Sequence, residues 1–475
     1  MDRLAAPVGG AAVFALTAGL ACDNGGFDAV TWGWASILLG GVALVLIIVT
    51  GGERPGRYGS VLLAALALLT AWTAASWLWS DSPPLALVEA QRVALYLFVA
   101  VAASLAGKRI PLRFTAAGVV AGTTVVAVWN LVIRIAGTSS TTTGSADRPV
   151  GYANSIAFLC VLGLLLLPML PRVALALALP LGADLVIQHS TGAFEALGAA
   201  VLAYVFLTQP RARLAAVAIA ICGAVASSFA LHGHVRTQYW HVAVREARAD
   251  PVLGSGAGTF RDAWLRDRTV TFSTLEAHSL YLETLAELGP IGLALLFIAL
   301  AVPLAAAVRL REPVLAAALV SYDVAAAVDF HWELAGATAP VIVLAAAVAT
   351  HARRGRTQIS RRVPALVAIA VLTVAAILGY AGNVRLQQAK DALAAGDAPR
   401  AGALAHAALR YAPFSAEAWK VIGDAESSAA AYRRAIALDR NDWSLWSRLA
   451  GVTQGAPRRL ALREAARLNP LASGP

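Results

Sequence analysis

AHSLYLETLAELGPIGLALL, residues 277–296, runs from a polar, aromatic-bearing loop into an apolar helix without a break. His278 lies one turn ahead of Tyr281 and Glu283, and Gly289-Pro290 marks where an apolar run takes over. A histidine at the end of the one long polar loop in a field of apolar helices points to chemistry at a membrane surface.

The composition around that stretch fits such a surface. Hydrophobic residues make up 59% of the chain and charged ones 14%, against about half and a quarter in soluble domains. Apolar runs of roughly 18 to 22 residues recur, enough to cross a hydrocarbon core of about 30 Å as helices. They are continuous rather than alternating, which excludes the barrel pattern. The expectation is an all-α, polytopic helical membrane bundle of about 12–13 transmembrane helices with a soluble C-terminal helical-repeat domain. Cys22, Cys160 and Cys222 stand alone in apolar runs, with no CxxC or zinc spacing. The first apolar stretch follows Arg3, lacks a cleavage site and is read as a retained span.

Spans are placed at about 4–22, 30–50, 59–79, 85–106, 114–136, 154–171, 173–188, 191–208, 214–231, 289–308, 314–330, 334–351 and 363–383. The loops between them alternate in charge. One set carries Arg54 and Arg57, then Lys108, Arg109 and Arg113, then Arg172, then Arg211 and Arg213, then Arg309 and Arg311, and ends in the cluster 353–362. The other set, at 23–29, 80–84, 189–190 and 331–333, has no Lys or Arg. By the positive-inside rule the first set is cytoplasmic. The protein is then a multi-pass plasma-membrane protein with a cytoplasmic N-terminus and an extracytoplasmic C-terminal domain. The net charge of +10 reflects this topology rather than nucleic acid, since no basic stripe with interleaved aromatics occurs.

Residues 1–383 read as the transmembrane domain, with a large extracytoplasmic loop at 232–288, and 384–475 as an extracytoplasmic domain. In the latter, AKDALAAGDAPRAGALAHAALRYAPFSAEAWKVIGDAE has the Gly-Asp turn and small residues of a tetratricopeptide helical pair. AAAYRRAIALDRNDWSLWSRLA echoes it, and REAARLNP begins a third unit. A generic helical hairpin bundle is the alternative reading of the same residues. Either form is an appendage suited to gripping a protein partner or a polymer chain.

The loop 232–288 holds most of the candidate chemistry. Arg236, Tyr239, Trp240 and Arg245 share an interfacial helical stretch, whose aromatics suit the headgroup zone and whose guanidinium groups suit phosphate oxygens. DPVLGSGAGTF, 250–260, is a glycine-rich turn able to aim backbone N–H groups at an anion, without the GK[ST] of a Walker loop. A neutral His278 can take a proton from a hydroxyl, and Glu283 can orient it. A structural reading stands beside each: a lone interfacial His is often just hydrogen-bonded, and a lone Arg often meets lipid phosphate. In the second outer loop, RIAGTSSTTTGSADRPVGYANS (134–155), the candidates are Arg148, Tyr152 and Asn154. Asp329, His331 and Glu333 do not share one helical face and lack an HExxH pattern, so no metal site is expected. No GxSxG elbow occurs either.

The order of these motifs resembles the O-antigen ligase and Wzy-type polymerase superfamily over roughly residues 30–350. The resemblance rests on GYAN at 151–154, STGA at 190–193, RTQYWHVAVREARADPVLGSGAGTF at 236–260, AHSLYLETLAELGPIGL at 277–293 and VDFHWE at 328–333. It implies an inverting glycosyl transfer on the outer face of the membrane, with no metal and no cofactor. The implied donor is a polyprenyl-diphosphate-linked glycan, and the acceptor is a hydroxyl of a glycan or glycolipid. It also implies that His278 activates that hydroxyl or meets the diphosphate, and that Arg236 binds the diphosphate. Tyr152, Asn154, Trp240, Tyr281 and Glu283 then join the substrate-binding set. The chain departs from the family in the STGA turn, where Thr191 stands in place of the usual Arg; Arg148 or Arg245 would have to substitute.

Two readings of other classes stay open. A transporter would place ionisable residues inside the spans, and Asp184 is nearly alone in that role. A scaffold would use the bundle as an anchor for the tail. Membrane lipids are partners under all three readings, and nucleic acid under none.

Overall fold

The computed structural model describes residues 2–51, 55–137, 147–230, 235–352 and 362–472. Arg54, the Ser/Thr tract at 138–146, His232 and His234, and the basic residues 353–361 lie outside the described residues. Among those described every regular element is a helix. Eight helices are long and apolar enough to cross a membrane, and Ala153–Met169, Pro313–Val328 and Ala335–His351 are shorter apolar ones. The protein is therefore a multi-pass helical membrane protein. One of the expected spans takes another form. Residues 173–188 are a 3-10 stretch, Arg172–Leu177, and an eleven-residue helix, Ala178–Gln188; eleven residues rise only about 17 Å. The span expected at 214–231 corresponds to the helix Arg213–Ala230.

The chain divides into two compact units: Met1–Leu68, Ala94–His234 and Leu295–Val371 in one, and Leu69–Val93, Val235–Ala294 and Leu372–Pro475 in the other. In the first, helices meet through small residues, because lipid gives no hydrophobic drive for association and close packing must supply it. Gly118 and Gly122, spaced four apart on Leu112–Ile135, lie against Gly10, Val13 and Thr17 of Asp2–Cys22 with no room for a Cβ. Gly336 meets Leu20 and Ala21 in the same way. Ala335–His351, built mainly from Ala and Val, is buried from Ala335 through Thr350 and serves as the core of this unit.

The second unit shows that the long loop and the tail fold together. The helix Arg362–Ala394 continues without interruption through the compositional boundary at 383/384, since alanine-rich sequence keeps helix propensity high. Five shorter helices follow, from Ala398–Leu409 to Gly455–Leu468. Side chains of Asp397, Ser415, Ser428 and Asp442 accept from backbone N–H groups at their starts. Their core is small and apolar: Ala389, Ala401, Ala405, Val421, Ile422 and Ala431. The tail is tied to Ser82 and to the loop. Arg261 pairs with Asp439 at 3.2 Å, Ser82 Oγ donates to Asp439 Oδ1 at 2.7 Å, and Arg268 Nη2 donates to Asn469 Oδ1 at 2.9 Å.

Candidate active site

The turn carrying His278 is held from several sides within the second unit. Glu283, on the first turn of Leu280–Leu310, accepts from the backbone N–H of Ala277 at 2.7 Å. His278 itself takes a left-handed backbone, φ 53°, a conformation that a non-glycine residue holds only when its surroundings enforce it. Its ring lies 5.0 Å from that of Tyr239, and Trp240 Nε1 approaches the His278 carbonyl oxygen at 3.5 Å. Tyr239 is buried and meets Trp264 edge-on at 4.6 Å. Burial raises the Tyr239 hydroxyl pKa, and the nearby Arg236 guanidinium opposes that shift. Arg236, Tyr239, Trp240 and His278 thus form one cluster, with Tyr281 half-buried on the next turn.

The imidazole has a defined polarity. Its Nδ1 lies 3.1 Å from the carbonyl oxygen of Glu276. A carbonyl oxygen only accepts, so Nδ1 carries the proton and Nε2 is the basic nitrogen of the neutral ring.

Glu276 beside it shares its surroundings with Arg92 and Glu89. Burial pushes the Glu276 carboxyl up to about 7, against the Arg92 guanidinium and reinforced by Glu89. Arg92 is buried and ion-paired with Glu89. Sequence reasoning missed this pair. The available signal was a lone Glu and Arg one turn apart inside the otherwise apolar run at 85–106.

The glycine-rich turn differs from its expected use. The group it cradles is the chain's own Glu287, whose side-chain oxygens accept from Gly258 N at 2.8 Å and Phe260 N at 2.9 Å. Ser255 N and Gly256 N donate to the carbonyls of Ala286 and Glu287, and Ala257 N donates to Ser76 Oγ. The N–H groups that looked ready for phosphate instead dock the turn onto the helix of the opening motif, where Gly289 (φ 65°) kinks it. Arg245 is exposed and paired with Asp267 at 3.3 Å.

The other candidates belong to the first unit. Tyr152 Oη donates to Asp329 Oδ1 at 2.7 Å, and Asn154 Nδ2 donates to Asp329 Oδ2 at 2.7 Å. His331 Nδ1 meets Ser155 Oγ at 2.8 Å. GYAN and VDFHWE are therefore two halves of one buried polar knot. The Arg148 carbonyl accepts from Asn130 at 2.6 Å, and Gln188 joins Asn130 to Asp184. Ser190 in the STGA turn caps the helix Thr191–Thr208 by accepting from Ala193 N.

An all-helical, multi-pass membrane protein with a braced histidine turn beside an arginine is the class these features define. Within it, residues 174–297 match the family model of the O-antigen ligases. The match takes in Ser190, Arg236 and His278, and supports an O-antigen ligase-type protein with a glycosyltransferase role of the ligase or polymerase type. No curated protein matches the chain.

Proposed function

We propose that the chain transfers a glycan from a polyprenyl diphosphate to a sugar hydroxyl at the outer face of the membrane, with inversion and without a metal. The observation that carries this reading is the polarity of His278, whose Nδ1 is committed to the Glu276 carbonyl, inside the segment that matches the ligase family. The acceptor oxygen attacks the anomeric carbon as Nε2 takes its proton. The bond from that carbon to the diphosphate oxygen breaks, and the lipid diphosphate leaves with the electron pair. Arg236, on the same cluster, neutralises charge developing on the leaving group; a fixed guanidinium does this without reorganising at the moment of reaction. Glu283 acts as a positioning residue by holding the turn. The outer-face assignment comes from the charge alternation of the loops, which puts the loop, the tail and the C-terminus outside. The tail reads as a degenerate tetratricopeptide array.

The test is transfer from a purified polyprenyl-diphosphate glycan in detergent with EDTA present. Wild type is expected to transfer, and His278→Ala to lose roughly two to four orders of magnitude in rate while unfolding at the same temperature. Arg236→Lys should fail as well, because a point charge does not replace a bidentate fork. Equal rates for wild type and His278→Ala would remove His278 from the mechanism.

A further inference from the structure

The second unit contains a cavity of roughly 550 Å³ whose lining does not include His278, a size within the roughly 300–1,000 Å³ of small-molecule sites. Its wall draws on three separate parts of the unit: Trp79 and Asp81 ahead of the helix Pro83–Ala106, Glu246 and Asp250 of the loop, and Asn441 of the tail. Two wall residues carry polar atoms that are buried and make no hydrogen bond in the protein: the indole N–H of Trp79 and one carboxylate oxygen of Glu246. Buried indole N–H groups ordinarily find a partner. Trp72, whose ring lies 5.1 Å from Trp79, donates its own to the Leu288 carbonyl at 2.9 Å. The wall thus offers one unused donor and one unused acceptor.

The charge of the wall selects among ligands. Its guanidinium groups, Arg245 and Arg266, both pair with Asp267, at 3.3 and 3.1 Å. Among the described residues Asp81 and Asp250 have no ion pair, and Glu246 shares the field of Arg266 with Asp267, so carboxylates outnumber guanidinium groups on the wall and the cavity repels phosphates and uronates and accepts from hydroxyl groups. An aromatic edge with carboxylate acceptors and a buried, unpartnered indole N–H suits a neutral polyhydroxyl ligand. We propose that this cavity is a saccharide subsite holding an uncharged stretch of glycan, with Trp79 donating to a sugar oxygen and Glu246 accepting from a sugar hydroxyl. The choice of a saccharide rests on the glycosyl-transfer reading; the donor, the acceptor and the charge selection do not.

The test is saturation-transfer NMR on the full chain in detergent with maltotriose, mannotriose and chitotriose as neutral probes and trigalacturonate as the anionic one. At least one neutral trimer should receive saturation, and trigalacturonate should bind at least tenfold more weakly. Trp79→Phe, which removes one hydrogen bond, and Glu246→Gln, which turns a charge-assisted bond into a neutral one, should each weaken binding about five- to tenfold, and His278→Ala should not change it. If Trp79→Phe fails to fold, Asp250→Asn at an exposed position replaces it and should weaken binding as well. No saturation of any neutral trimer, trigalacturonate binding as tightly, or variants that bind like wild type would each overturn the subsite. Binding without glycan transfer would leave the subsite standing and remove the transferase reading; transfer without binding would do the reverse. In the transfer assay, a raised KM for the acceptor in Glu246→Gln assigns the saccharide to the acceptor chain, and a raised KM for the donor assigns it to the lipid-linked glycan.

Discussion

The Glu283 carboxylate makes one contact that a role in positioning turns on, the Ala277 N–H at 2.7 Å. A glutamine keeps a side-chain oxygen at that place and an alanine does not. Glu283→Ala is therefore expected to lose transfer nearly as fully as His278→Ala, with Glu283→Gln close to wild type; equal losses in both variants would point to the charge instead. His278 and Arg236 stood out as candidates because a polar residue near an apolar run is conspicuous in one dimension. Tyr239 read as one more interfacial aromatic, although its ring packs between His278 and Trp264. Glu287 carried no signal, since its partners Gly258 and Phe260 lie almost thirty positions away and only the fold brings them to it.

At the scale of elements, length and apolarity were enough to find the long spans, because a continuous apolar helix has few places to be other than a membrane. The glycine-rich turn was legible as a turn, but the sequence did not reveal what it held. Gly254 has φ +74°, and a Cβ there would press into the backbone of Glu287 and Leu288. Gly254→Ala is expected to destabilise the second unit by about 1–3 kcal/mol and lower its unfolding temperature. Gly198, on Thr191–Thr208, has nothing within 4 Å of its missing Cβ. There alanine should be neutral or stabilising by up to about 1 kcal/mol. Tryptophan-fluorescence thermal unfolding of the two variants side by side checks both; a silent Gly254→Ala would mean the turn is not docked as described.

For the molecule as a whole, the loop and tail share a buried charge group that a boundary at 383/384 hides. Ser82 Oγ lies 2.7 Å from Asp439 Oδ1 and 3.2 Å from Asp262 Oδ2. A hydroxyl has one proton to give, so with Asp439 as acceptor the contact to Asp262 is satisfied when Asp262 is protonated and donates to Ser82. Burial, opposed by Arg261 and reinforced by Asp439 and Asp442, pushes Asp262 up to about 7. Glu276 sits at about 7 for a similar reason. Unfolded, these carboxyls return to 3.8 and 4.5. Between those values and about 7 the folded chain binds more protons than the unfolded one, so stability falls as pH rises through that window. Glu417 works in the opposite sense: its ion pairs with Lys420 and Lys390 outweigh burial and hold it at about 2. Its stabilisation is complete above its unfolded value of 4.5 and adds no slope near neutrality. The unfolding temperature is therefore expected to drop from pH 5.5 to pH 8. Asp262→Asn combined with Glu276→Gln should make that drop smaller, because neither side chain can then be forced to ionise inside the fold; Asp439 and Glu246, whose carboxyls burial also raises, keep the remainder. The same slope in the variant as in wild type would show that the Asp262–Asp439 group and the Glu276 turn share no proton near pH 7.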